Sequence, residues 1–128
     1  CKSDQNYKGV LNDKSKGVYN SYTFVEKEAQ KTEGYQLSKG ILLSEDATFF
    51  SKPELRIFAD DVKCSHGSTI GPIDDHMIYY IRSRGINKKE ATKILIKSFI
   101  EENIEKINHF LVQKKIESFI NNYLSSYN

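Results

Sequence analysis

The sequence predicts a β+α chain: a solenoid of parallel strands, a β-helix, over residues 1–71, then a helical domain over residues 72–128. Three observations carry this. Apolar centres near Phe24, Leu42 and Ile57 recur 18 and 15 residues apart, with polar turns between them. No hairpin dipeptide such as Asn-Gly joins them, which favours coils over tight antiparallel pairs. After Gly71-Pro72 the apolar spacing changes from alternation to the step of a helix. A small antiparallel sandwich is the competing arrangement of the same strands.

The elements follow in order. Residues 1–16 are polar, with Gly9, Val10 and Leu11 as an apolar island that fits one strand. Val18, Tyr22, Phe24 and Val25 lie among small polar residues and fit another. The segment from Ala29 to Gly34 reads as a turn or a further short strand. Tyr35-Gln36-Leu37 and Ile41-Leu42-Leu43 flank an expected turn at Ser38-Lys39-Gly40. Ser44-Glu45-Asp46 reads as the next turn, before Ala47-Thr48-Phe49-Phe50. Lys52-Pro53 restarts the chain into the segment from Glu54 to Ala59. Each coil of a solenoid buries its apolar face only against the next, so two or three coils leave an open end.

The helical signals begin at Asp74, a capping residue for a helix with Met77, Ile78 and Ile81 on one face. Arg82 and Arg84 suit the negative end of that helix, and Gly85 stops it. Asn87 with Glu90 three residues on is an Asn version of the capping box. Ala91, Ile94, Leu95, Ser98 and Phe99 form the expected buried stripe, extending toward Ile107. Asn108-His109 interrupts the pattern weakly. A third stripe follows with Val112, Ile116, Phe119, Ile120, Tyr123 and Leu124.

Composition narrows the function. The 128 residues make one domain or part of a larger one. The hydrophobic fraction of 38% is low for a self-sufficient core, while 12% aromatics argue against disorder. With 19 basic and 17 acidic residues, the net charge of +2 gives no electrostatic pull toward nucleic acid or an acidic membrane. No run of about 18 apolar residues marks a membrane-spanning helix. The chain starts at Cys1 without an initiator Met or a signal-peptide core, so it reads as processed, trimmed or a fragment. Two cysteines without a secretory signal suggest free thiols in a reducing compartment. Bacterial cytoplasm is the expected location, with a plastid stroma as the alternative.

The chemistry concentrates at Cys64-Ser65-His66. On an extended segment the thiol and imidazole share a face, with Cα atoms about 7 Å apart. Two soft donors can share a metal or a cluster edge. No second Cys/His pair completes a four-ligand zinc site. The readings are a buried Cys beside a hydrogen-bonded His, or ligation completed by a partner chain. A cysteine nucleophile lacks an orienting third group and an oxyanion-type glycine turn. Asp60-Asp61 reads as a strand end and Asp74-Asp75 as a helix start, while His76 and His109 fall on polar helix surfaces. Arg82-Ser83-Arg84-Gly85 fits either a phosphate grip or a stabilised helix end. No P-loop, Rossmann or zinc-finger pattern appears.

These residues also carry a resemblance. The run Lys52-Pro53-Glu54-Leu55-Arg56-Ile57-Phe58-Ala59-Asp60-Asp61-Val62-Lys63-Cys64-Ser65-His66-Gly67-Ser68-Thr69-Ile70-Gly71 resembles the SufB/SufD family of the SufBCD iron–sulfur cluster assembly complex. Tyr79-Tyr80-Ile81-Arg82-Ser83-Arg84-Gly85-Ile86 is similar to a second hallmark of that family. Lys16-Gly17-Val18-Tyr19-Asn20, Glu28-Ala29-Gln30-Lys31-Thr32 and Leu42-Leu43-Ser44 match upstream. The Lys-Cys-Ser-His-Gly run points to the SufD branch. The resemblance covers residues 14–107 or so.

It implies the last coils of a right-handed parallel β-helix followed by a C-terminal helical domain. It also implies a non-enzymatic scaffold whose β-helix pairs with SufB and whose helices dock the SufC ATPase. An iron–sulfur cluster would be held transiently across the SufB interface, with His66 as ligand and Cys64 beside it. Tyr79, Tyr80, Arg82, Arg84 and Gly85 are the implied partner-binding residues. Isolated coils can also be expected to pair with a second copy of the chain.

Overall fold

Strands take up most of residues 2–72 of the computed structural model, which describes residues 1–126. They are β1 (Lys2–Leu11), β2 (Lys16–Val25), β3 (Thr32–Leu42), β4 (Thr48–Ile57) and β5 (Val62–Pro72). Odd and even strands go to different sheets: β1-β3-β5 form one and β2-β4 the other. Every pairing is parallel, which removes the antiparallel sandwich. Lys2 pairs with Glu33, Lys16 with Thr48 and Thr32 with Val62, so the pairing repeats every two strands.

The corners repeat with the strands. Leu43 N donates to Leu11 O at 2.8 Å and Thr48 N to Ser15 O at 3.0 Å, stacking one corner on another. Lys31 N donates to Asp61 O at 2.6 Å across the corner at the other end. Asp13 and Lys31 reach these bends with positive φ (53° and 58°), a conformation non-glycine residues seldom adopt.

The space between the sheets explains several departures from expectation. Ser38-Lys39-Gly40, expected as a turn, lies inside β3. Ser38 is fully buried, and a Cβ on Gly40 would stand 2.5 Å from Phe49 Cδ1. Small residues are therefore needed there to admit Phe49, not to bend the chain. Lys52-Pro53, expected as a restart, lies inside β4. A proline is tolerated because β4 belongs to a two-stranded sheet and has a free edge. The strand expected in the polar N-terminal segment forms as β1, paired with β3 along its length.

Sidedness departs as well. In β2 the burial alternates, with Tyr19, Ser21, Thr23 and Val25 on the less exposed face and Val18, Tyr22 and Phe24 exposed on the other. Apolar centres of the sequence thus lie outside and polar side chains inside. Phe24 sits 5.2 Å from the Phe58 ring, which lies under the Arg56 guanidinium at 5.5 Å.

The chain divides into two units, Cys1–Ile73 and Asp74–Asn128. The second holds α1 (Asp75–Arg82), α2 (Lys88–Ile104) and α3 (Phe110–Ser126). Both expected caps form: Asp74 Oδ1 accepts from His76 N at 2.8 Å, and Asn87 Oδ1 from Glu90 N at 2.9 Å. Gly85 follows α1 with φ +88°.

The helix stripes differ from expectation. In α2 the buried residues are Ala91, Ile96 and Ile104, while Ile94 and Ser98 are exposed. Both α1 and α3 pack on α2, so burial is shared between two of its faces. In α3 Leu124 is buried, but Val112, Phe119 and Tyr123 are exposed. With α2 as its one helical neighbour among the described residues, α3 leaves part of its stripe uncovered.

Candidate functional site

β5 brings Cys64 and His66 to the end of the three-stranded sheet. The turn that delivers it is fixed by its backbone. Asp61 N donates to Gln30 Oε1 at 2.9 Å, and Asp61 O accepts from Lys31 N. Asp61 thus ties this corner through its backbone, and Asp60-Asp61 precedes β5.

Register then assigns each side chain a place. Cys64 lies beside Gly34 of β3, His66 beside Gln36, Ser68 beside Ser38 and Ile70 beside Gly40. A Cβ on Gly34 would stand 3.1 Å from Cys64 Sγ, so the thiol leans over that glycine. His66, two residues on, shares this face. On β3 this face carries Gly34, Gln36, Ser38 and Gly40, all buried. It faces the other sheet: Gln36 Nε2 donates to Ser21 Oγ at 2.9 Å and Thr23 Oγ1 at 2.5 Å on β2.

Cys64 and His66 therefore continue the inner face of the sheet pair. β5 is the last strand of its sheet, so they sit at an open end. Cys64 is half-buried and His66 exposed. Both cysteines are free thiols; Cys1 is exposed, with its Sγ 3.3 Å from Thr32 Oγ1. Among the described residues no group of three His, Cys, Asp or Glu side chains could hold a metal ion. What the geometry offers is a pair of soft donors on one face.

The other candidate residues lie on the helical unit. Tyr79 is 75% exposed and Tyr80 54%. The Arg84 guanidinium lies 4.6 Å from the Tyr80 ring centroid and donates to its hydroxyl. Tyr79, Arg82 and Gly85 line one open cavity of about 410 Å³ with Ser83, Ile86 and Asn87. The five residues thus split into a cavity group and a self-paired Tyr80–Arg84 couple. His76 and His109 are exposed.

Sequence reasoning passed over Gln36. Its place became visible only through register, although the alternation Gly34-x-Gln36-x-Ser38-x-Gly40 was a usable strand signal. Among the described residues no helix is long and apolar enough to cross a membrane.

A parallel two-sheet unit whose last strand carries a half-buried thiol and an exposed imidazole, joined to a small helical unit, defines the β+α class to which the chain belongs. The family model described as "SUF system FeS cluster assembly, SufBD core domain" matches residues 1–99, and the chain belongs to that family. It is 44% identical to the iron–sulfur cluster assembly protein SufD of Escherichia coli over 82% of this chain. It is 33% identical to the SufD of Bacillus subtilis over 88% of this chain, and 40% identical to protein ABCI7, chloroplastic, of Arabidopsis thaliana over 76%. It spans 25%, 26% and 20% of the lengths of those three relatives, respectively.

Proposed function

We propose that this chain serves iron–sulfur cluster assembly as a non-catalytic scaffold, with His66 as one donor to a cluster whose remaining donors come from a partner of the SufB type. Cys64 is the neighbouring donor. The observation that carries this is the placement of Cys64 and His66 on one face of the last strand of the sheet, with no group of three metal-binding side chains among the described residues. The cluster is cargo here, held across an interface and passed on.

The two sheets act as two faces of a right-handed parallel β-helix, each coil contributing one strand to each sheet. The two-strand repeat and all-parallel pairing support this, and parallel crossover connections are right-handed in about 98% of cases. The unpaired edge of β5 offers backbone groups to a strand of the partner. The helical unit docks an ATPase of the SufC type through Tyr79, Arg82 and Gly85, with Tyr80 and Arg84 beside them.

The test is co-expression of this chain's parent complex carrying His66→Ala, followed by assay of iron and acid-labile sulfide. Loss of both at unchanged complex yield supports the donor role, and unchanged loading removes it. The close fit of Cys64 over Gly34 favours a second reading, in which Cys64-Ser65-His66 only packs and the chain is purely an interaction module. Unchanged loading is what that reading predicts.

A further inference from the structure

We propose that Gln36 is a positioning residue for His66: its side-chain carbonyl accepts the ring N–H of His66 and fixes the imidazole tautomer. The other ring nitrogen then presents its lone pair out of the open end of the sheet pair. This rests on the reading of His66 as a donor.

The first observation is register. Gln36 and His66 are direct partners in the β3–β5 ladder, on strands about 4.8 Å apart, with their side chains on the same face.

The second is the state of the Gln36 amide. It is 3% exposed, and Nε2 donates to both Ser21 Oγ and Thr23 Oγ1. An amide nitrogen has two hydrogens, so its donors are fully committed. The Ser21 hydroxyl donates to Gln5 Oε1 at 2.9 Å. A flipped Gln36 amide would therefore find no hydrogen on Ser21 to accept. In this network the amide carries its oxygen away from β2. That oxygen, Oε1, is buried without a hydrogen-bond partner.

The third is the choice of donors around it. The ladder neighbour on the other side is Gln5. Gln5 Oε1 is occupied by Ser21, and Gln5 Nε2 reaches Thr23 Oγ1 at 3.5 Å. Toward the open end the neighbour is His66, which is exposed and free to turn about its side-chain torsions. Turning the imidazole inward gives the buried oxygen a donor and leaves the second nitrogen deprotonated and outward. Metal-bound histidines are held in this way by an acceptor on the nitrogen that does not bind the metal.

The test is long-range ¹H–¹⁵N NMR of the full chain without metal, at a pH where His66 is neutral. The wild type is expected to show one dominant His66 tautomer. Gln36→Leu is expected to move the tautomer ratio roughly fivefold toward the mixture of a free imidazole, the size one neutral hydrogen bond supplies. Backbone amide signals of Gly34 and Cys64 report whether the fold is kept, and Gln36→Met, which keeps chain length, replaces Leu if it is not. A wild-type ratio already equal to that of free imidazole, or one that neither variant moves, overturns the proposal. The readout needs no cluster, so it separates from the donor role. Loading that survives His66→Ala sinks the donor reading alone, while an unmoved tautomer sinks Gln36 alone.

Discussion

Cys64 Sγ lies 3.1 Å from the place a Cβ on Gly34 would take. The two residues are register partners on adjacent parallel strands, and the thiol occupies the room left by the missing side chain. Gly34→Ala must therefore push Cys64 aside. The expected cost is about 1–2 kcal/mol of stability, in the range for added methyl groups in packed regions. Urea unfolding of Gly34→Ala, Cys64→Ala and the double variant checks it. The cost of Gly34→Ala should fall by at least half in the Cys64→Ala background, since the clashing sulfur is gone. An equal cost in both backgrounds would show that Cys64 does not set the requirement for glycine.

The interior around Phe49 gives a stronger contrast. Its ring sits 2.5 Å from the Cβ position of Gly40 and 2.7 Å from that of Gly17. Gly40→Ala should cost about 2–3 kcal/mol. Gly71→Ala, where nothing lies within 4 Å, should change stability by about 0.5 kcal/mol or less. Thermal or urea unfolding of the two variants compares them directly, and equal effects would contradict the packing described for β3.

The cap of α2 is a separate matter. Asn87 Oδ1 accepts from Glu90 N. Asn87→Ala should cost about 1 kcal/mol, while Asn87→Asp should cost little, because it retains the acceptor and adds charge at the positive end of the helix. Far-ultraviolet circular dichroism through a thermal scan distinguishes them. An Asp variant as weak as Ala would mean that the hydrogen bond is not what Asn87 provides.

The proposed docking of an ATPase on the helical unit separates by residue. Tyr79 and Arg82 line the open cavity, so Tyr79→Ala and Arg82→Ala are expected to weaken binding of a SufC-type ATPase roughly tenfold or more each, the scale of an interface hot spot. Arg84, just past the end of α1, is engaged with Tyr80, so Arg84→Met should cost about 0.5–1 kcal/mol of stability and less binding. Titration calorimetry of the variants against the ATPase checks the order. Equal losses for Arg82 and Arg84 would count against the division between them.

Much of this fold could be read from the residues, and the failures share one cause. Helix caps are local chemistry, so Asp74, Asn87 and Gly85 were legible from neighbours in the sequence. The change from strands to helices near Pro72 was legible from the apolar period. The strand interiors were not, because the inner face is made of small and polar side chains. Ser38, Lys39 and Gly40 have turn chemistry, yet they sit in a strand because Phe49, nine residues beyond Gly40, needs the room. Phe24 has core chemistry, yet it is 49% exposed, its ring tilted against Phe58 outside. Only pairing over about 30 residues decides these cases, and no local window contains it. Cys64 and His66 were legible as a pair from their spacing; that they continue a buried polar row through Gly34 and Gln36 was not.

The central claim is that His66 supplies a nitrogen to a cluster shared with a partner chain. The most direct measurement is pulsed electron paramagnetic resonance on the reduced, cluster-loaded complex, with this chain alone labelled with ¹⁵N-histidine. The account predicts a ¹⁵N hyperfine coupling of a directly bound imidazole, absent from a complex assembled with His66→Ala. A loaded wild-type complex without that coupling, or a coupling that survives His66→Ala, would contradict it.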